Sequence, residues 1–285
     1  MSAPDLPPPP KHDAGDRPLY VHLHADRVAP EALTGGVVIV IDAIRASVTI
    51  AKALSEGAAA IVPVLTAEEA RAKAAALKAP PRGRGWGGRD SSADAPTSSP
   101  SHREEKVLLG GERGGVLIDG FDLDNSPFSY TRERIAGSTI VFTTSNGTAG
   151  LLHARHAAKI IVGSFVNLTK VCEAVANERR PVHILACGTR SDISLDDVLV
   201  AGAMARMLLV AGRGTTSDDS WQVATHLWHI ISQGGQDKIV EAMCGSRGGR
   251  NMVTLGLRRD VEFCSTIDAV PVVPVFDVAS GLIQL

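Results

Sequence analysis

The apolar residues of this chain gather in short, continuous runs. Val37–Ile41 reads V-V-I-V-I, and a β-branched run of this length fits a strand buried on both faces. Residues 46–56 then show helical spacing, 60–65 a second strand, and 66–79 (T-A-E-E-A-R-A-K-A-A-A-L-K-A) a helix. Thr66 stands at its N-cap and Glu69 at the capping-box position. Further strands are predicted at 107–109, 139–142, 160–162 and 182–185, with helices beginning near Gly147, Asn167 and Leu195. Strand and helix in this alternation predict an α/β class, layered α/β/α around a mainly parallel or mixed sheet.

From Ser217 the rhythm changes. D-D-S-W-Q-V-A-T-H-L-W-H-I-I-S-Q and D-K-I-V-E-A-M-C read as helices, followed by a helical stretch over 251–264 and a terminal strand over 270–276. Pro271 and Pro274 would make that strand an edge or an interrupted one. G-S-R-G-G-R, 245–250, reads as a turn between helices in which Arg247 and Arg250 are candidate anion contacts.

Two segments fall outside this pattern. Residues 1–18 carry four consecutive prolines, and 79–105 mixes Gly, Pro, Ser and charge, with Arg82, Arg84 and Arg89 around Trp86. Neither can bury enough apolar surface to offset its ordering entropy. They are expected to be a disordered tail and a disordered insertion in one domain over 19–285.

Composition narrows the function. At 285 residues, 44% hydrophobic and net charge −2, the chain has no basic footprint for nucleic acid or a membrane surface. No run nears the ~18 consecutive apolar residues of a membrane span. The four cysteines show no C-x-x-C spacing and no signal peptide is evident, so reduced thiols and a cytoplasmic location are expected. The expected partner is a small anionic molecule; a homodimer is allowed but not specified.

In open α/β sheets ligands bind beyond the carboxyl ends of the strands. Asp42 ends the most apolar run, and Arg45, Ser47 and Thr49 follow it. A carboxylate there can hold a hard divalent cation, and a guanidinium offers a fork to phosphate oxygens. T-T-S-N-G-T, 143–148, has the residue types of an anion cradle at a helix start, although an ordinary cap uses the same ones. Asp196 and Asp197 open a long apolar helix, where they either complement its dipole or help Asp42 hold Mg2+. Cys187 at a strand end is either a nucleophile or a buried small hydrophobe. The pairs His22/His24 and His153/His156 lack a third ligand. The turn D-A-I-R-A-S has no glycines of the dinucleotide-binding kind, which disfavours a nicotinamide enzyme.

The order and spacing of six motifs carry a family resemblance: I-D-A-I-R-A-S-V-T-I (41–50), L-L-G-G-E-R-G-G (108–115), G-F-D-L-D-N-S-P (120–127), T-T-S-N-G-T, G-S-F-V-N (163–167) and S-L-D-D-V-L-V-A-G-A (194–203). The chain resembles the 2-phosphosulfolactate phosphatases, the ComB-like proteins, from about Tyr20 to its C-terminus. The resemblance implies a ComB-like α/β fold and Mg2+-dependent release of phosphate from (R)-2-phospho-3-sulfolactate, as in coenzyme M biosynthesis. Carried onto this sequence, it implies Asp42, Arg45, Glu112 and Asn146 in catalysis. Substrate binding would fall to Ser47, Arg113, Asp122, Asn125, Ser126, Thr148 and Asn167, and metal binding to Asp42, Glu112 and Asp197. Asp124 stands where the family usually has glycine, Ser145 departs from T-T-N-G-T, Asp196 replaces the common Glu, C-G-T replaces C-A-G, and 79–105 is long. A related phosphorylated 2-hydroxy acid is therefore a second candidate substrate. A non-catalytic phosphometabolite-binding protein on the same scaffold is the alternative.

Overall fold

The computed structural model describes residues 17–79, 106–216 and 218–285. The expected tail and insertion lie outside these, except that Pro18 already belongs to a strand and Ala79 ends a helix. The strands are β1 (Pro18–His22), β2 (Val37–Ile41), β3 (Ala60–Pro63), β4 (Val107–Arg113), β5 (Val116–Leu117), β6 (Thr139–Thr143), β7 (Lys159–Gly163), β8 (Val182–Ala186), β9 (Gly214–Thr215), β10 (Val275–Asp277) and β11 (Leu282–Gln284). The helices are α1 (Ala46–Ser55), α2 (Ala67–Lys78), α3 (Arg132–Ile135), α4 (Gly147–His153), α5 (Leu168–Ala176), α6 (Leu195–Val210), α7 (Ser220–Ser232), α8 (Gly235–Gly245), α9 (Arg247–Thr254) and α10 (Arg258–Cys264).

One sheet runs β5-β4-β6-β3-β11-β10-β7-β2-β8-β1-β9. Two parallel blocks, β4-β6-β3 and β7-β2-β8-β1-β9, flank an antiparallel hairpin, β10-β11. Every residue of β2 is buried because both faces are covered. Val38 and Val40 share one cluster with α1 and α4, whereas Val37, Ile39 and Ile41 pack with α5 and α6. That alternation is the α/β/α layering the sequence predicts. The α2 start is also as expected, with Thr66 Oγ1 accepting from Glu69 N (3.1 Å) and the Glu69 carboxylate accepting from Leu65 N (2.9 Å).

Four expectations are corrected. The terminal strand begins at Val275 and lies inside the sheet. Pro271 and Pro274 precede it, and Pro274 takes part only as an acceptor, its carbonyl bonded by Val162 N at 3.0 Å. A proline that need only accept is compatible with an interior position. The helix expected over 251–264 is α9 and α10, separated at Gly256, whose φ is +76°. G-S-R-G-G-R enters α9, with Ser246 capping Gly249 N at 2.9 Å. Strand β4 also runs past Leu109 to Arg113 and turns back into β5. Among the described residues no helix is long and apolar enough to cross a membrane.

Candidate active site

Beyond the carboxyl ends of β2, β4, β6 and β8, covered by α9, lies a cavity of about 380 Å³. Of the residues singled out in the sequence, Asp42, Arg45, Glu112, Asn125, Asn146 and Arg247 line it, joined by Ser145, Thr189, Arg190 and Asn251.

Asp42 is fixed by its own loop. Its backbone N–H donates to Ser47 Oγ at 2.9 Å, and its carboxylate accepts from Ala46 N at 3.3 Å and from the Gly147 N–H. Gly147 must be glycine, since a Cβ there would stand 2.6 Å from Ala46 Cβ and 2.8 Å from Asp42 Oδ2. Glu112 bridges two loops, accepting from Gly115 N at 2.7 Å and Ser145 N at 2.8 Å. Asp197 does the same deeper down, accepting from Ala43 N at 2.7 Å and Gly188 N at 2.8 Å.

These bonds revise the expected anion cradle. In T-T-S-N-G-T the N–H groups of Ser145 and Gly147 face Glu112 and Asp42, while Thr148 N and Thr144 Oγ1 bond each other at 3.4 Å. The Ser145 and Gly147 amides thus hold protein carboxylates and are not free for a bound anion. Burial, then the charges of Asp196 and Glu112, push Asp42 up to about 7. Burial also raises Asp196, and burial with the charges of Asp196 and Asp42 raises Asp197 well above the carboxylate range.

Arg45, 2% exposed, follows a cis Ile44–Arg45 peptide bond. It donates to Asp260 Oδ2 at 2.5 Å and to the Gly115 carbonyl at 2.9 Å. Ser126 Oγ completes this set with a 3.0 Å bond to Asp260 Oδ1. Asp260 belongs to no motif singled out in the sequence and lies 215 residues from Arg45. Arg190 lies in the strand-end stretch C-G-T-R-S-D after β8, but no spacing or composition distinguishes it from other loop arginines.

The remaining predicted residues support the walls instead of lining the cavity. Arg113 donates to the carbonyls of Glu112 and Leu65 and to Thr143 Oγ1. The Asp122 carboxylate accepts from Leu109 N at 2.8 Å on the exposed side of β4. Asn167 is fully buried and bonded to Ser164, Val162 O and Val272 O. Ser47 and Thr148 bond their own loops. Arg250 donates to Gly245 O away from the cavity. A substrate-binding role for Ser47, Arg113, Asp122, Ser126, Thr148 and Asn167 is thus indirect. Asp124, not expected to act, receives Ser126 N at 3.0 Å and stays outside the cavity.

The thiol of Cys187 is buried, and burial followed by Asp42 and Asp197 raises its pKa far above neutrality, which removes it as a nucleophile. His22 pairs with His183 at 3.0 Å, burial lowering both to about 4. His24 and His153 bond the carbonyls of Arg190 and Val28. Among the described residues no three His, Cys, Asp or Glu side chains form a metal-holding group, so Asp42, Glu112 and Asp197 do not converge as expected. Asp197 lies off the cavity with an N–H on each oxygen. Asp42 and Glu112, which do face it, match an ion that takes one or two carboxylates and completes its shell with water and substrate oxygens.

The chain matches the family model of 2-phosphosulpholactate phosphatase over residues 23–85 and 90–278. It is 34% identical to a probable 2-phosphosulfolactate phosphatase of Symbiobacterium thermophilum over 86% of this chain and 93% of that protein. It is likewise 34% identical to one of Caldicellulosiruptor saccharolyticus over 87% and 91%. With one of Clostridium perfringens it shares 32% over 93% and 95%. The strand-end Asp42, the loop-bridging Glu112 and the buried Arg45 all lie within the matched span, and the chain belongs to the 2-phosphosulfolactate phosphatase family.

Proposed function

We propose that this protein hydrolyses the phosphate ester of (R)-2-phospho-3-sulfolactate, or of a closely related phosphorylated 2-hydroxy acid, with Mg2+ as its cofactor. The observation that carries this reading is the inward turn of the loop amides. Ser145, Gly115 and Gly147 donate to Glu112 and Asp42, two carboxylates facing one cavity. Such a wall repels a phosphate unless a cation stands between them. Asp42 and Glu112 would hold Mg2+, which would supply the positive charge that offsets that of the phosphate.

The chain's own groups then position the ester. Asn125 and Asn146 face the cavity with amides that can orient phosphoryl oxygens. Arg45, with two donors on Asp260 and Gly115 O, is a preorganised cation whose guanidinium does not have to be reordered during the reaction. Water adds to phosphorus as the ester P–O bond breaks, and the proton lost by the water balances the one gained by the departing alkoxide. Positioning and electrostatics suffice for such transfer.

The test is phosphate release from a panel of phosphorylated 2-hydroxy acids, with Mg2+ and with chelator. Mg2+-dependent turnover is expected. Binding of the panel without release would favour the non-catalytic alternative, and a trapped acyl phosphate in rapid quench would replace direct water attack by an Asp42 phosphoenzyme.

A further inference from the structure

The cavity holds three guanidinium groups, and they are not equivalent. Arg45 is buried against Asp260 and Gly115 O. Arg247 pairs with Asp192 at 2.5 Å. The Arg190 side chain, on the exposed rim, has neither a hydrogen bond nor an ion pair among the described residues.

Its backbone, by contrast, is anchored on both sides. Arg190 N donates to Asn146 Oδ1 at 3.1 Å, and its carbonyl is bonded by His24 Nε2 at 2.8 Å. The residue has φ of +59°, in the left-handed region that non-glycine residues seldom occupy. Gly188, two residues earlier, packs where a Cβ would lie 2.0 Å from the His24 ring. The backbone of this exposed loop is thus fixed, which places at the cavity mouth a guanidinium that has no protein partner among the described residues. Asn146 and Gly147 are consecutive; the first holds Arg190 by its side chain and the second holds Asp42 by its N–H. The spacing between the free guanidinium and the carboxylate floor is therefore set by two adjacent residues.

We infer that Arg190 is a specificity-determining residue that takes the anionic group of the substrate remote from its phosphate. This rests on the phosphatase reading. The remote group can be a sulfonate or a carboxylate, since a guanidinium fork suits either. Because the contact is made in the ground state as well as during the reaction, its loss should appear in KM and leave kcat within about twofold.

The experiment compares the wild type, Arg190→Ala and Arg190→Lys in the Mg2+-loaded full chain on three esters. These are 2-phospho-3-sulfolactate, 2-phospholactate, which lacks the sulfonate, and 1-sulfopropan-2-yl phosphate, which lacks the carboxylate. Arg190→Ala is expected to raise KM for the first by about tenfold to a hundredfold, the range of one charge-assisted hydrogen bond. Lysine should restore part of that loss. The penalty should vanish on whichever truncated ester lacks the group that Arg190 holds, which identifies it. An equal penalty on all three esters, no penalty on any, or a fall in kcat alone overturns the inference while leaving the phosphatase reading standing. No wild-type turnover of any ester with Mg2+ overturns both.

Discussion

Replacing Asp42 with asparagine separates what this residue costs the fold from what it does for catalysis. In the metal-free protein its carboxyl rises from 3.8 to about 7 through burial and the neighbouring Asp196 and Glu112. Between these values the folded protein keeps the proton and the unfolded chain has released it. Wild-type stability is therefore fullest below pH 4 with respect to this group and falls as pH climbs through 7, by an amount on the order of 4 kcal/mol. The asparagine side chain would keep an oxygen for Ala46 N but set an NH2 against the Gly147 N–H, giving back about half of the gain. Asp42→Asn should thus be more stable than wild type by ~2 kcal/mol at pH 8 in chelator, a rise of about 4 °C in Tm. The advantage should shrink towards pH 4, and the variant should release no phosphate. Thermal melts from pH 4 to 8, with chelator and with Mg2+, measure this. Mg2+ should raise the wild-type Tm at pH 8 and leave the variant unmoved. A variant that melts below wild type at pH 8 in chelator, or with the same pH slope, would refute the charge argument.

Other substitutions probe the same walls. Arg45→Ala should abolish turnover and also destabilise the fold by about 3–5 kcal/mol, because Asp260 would be left charged and unpaired in a buried position; steady-state rates and chemical denaturation report the two effects. Gly147→Ala drives a methyl group against Ala46 and Asp42 Oδ2, so a loss of at least about a hundredfold in kcat/KM is expected, with a stability cost of ~1–3 kcal/mol. Cys187→Ala should keep kcat within about twofold of wild type, since the thiol is buried and protonated and so is no nucleophile. A rate collapse in that variant would restore a covalent role to the cysteine.

The fold was legible in the sequence where one element decides its own fate. The β-branched V-V-I-V-I reads as an interior strand, and T-A-E-E carries its own helix start in Thr66 and Glu69. Legibility failed where distant partners decide. Pro271 and Pro274 argued for an edge, but β3 and β7 reach the C-terminal segment from both sides. The site divides in the same way. Asp42 and Arg45 stand out at a strand end, and Glu112 enters through the family motif. Asp260 is recognisable only from the guanidinium it faces, and Arg190 only from the lack of a partner for its own among the described residues. Residue type also misled in T-T-S-N-G-T, where amides that could receive a phosphate are directed at Glu112 and Asp42.

The position of β10 and β11 has a consequence for biogenesis. Among the described residues the two parallel blocks of the sheet do not pair with each other; β3 and β7 are joined only through β10 and β11. During synthesis both blocks emerge while residues 275–284 are still unmade or within the ribosome, leaving the interior edges of β3 and β7 open to other chains. The sheet therefore cannot close until β10 and β11 have left the ribosome, and a chain stopped before Val275 should yield an aggregating pair of half-sheets.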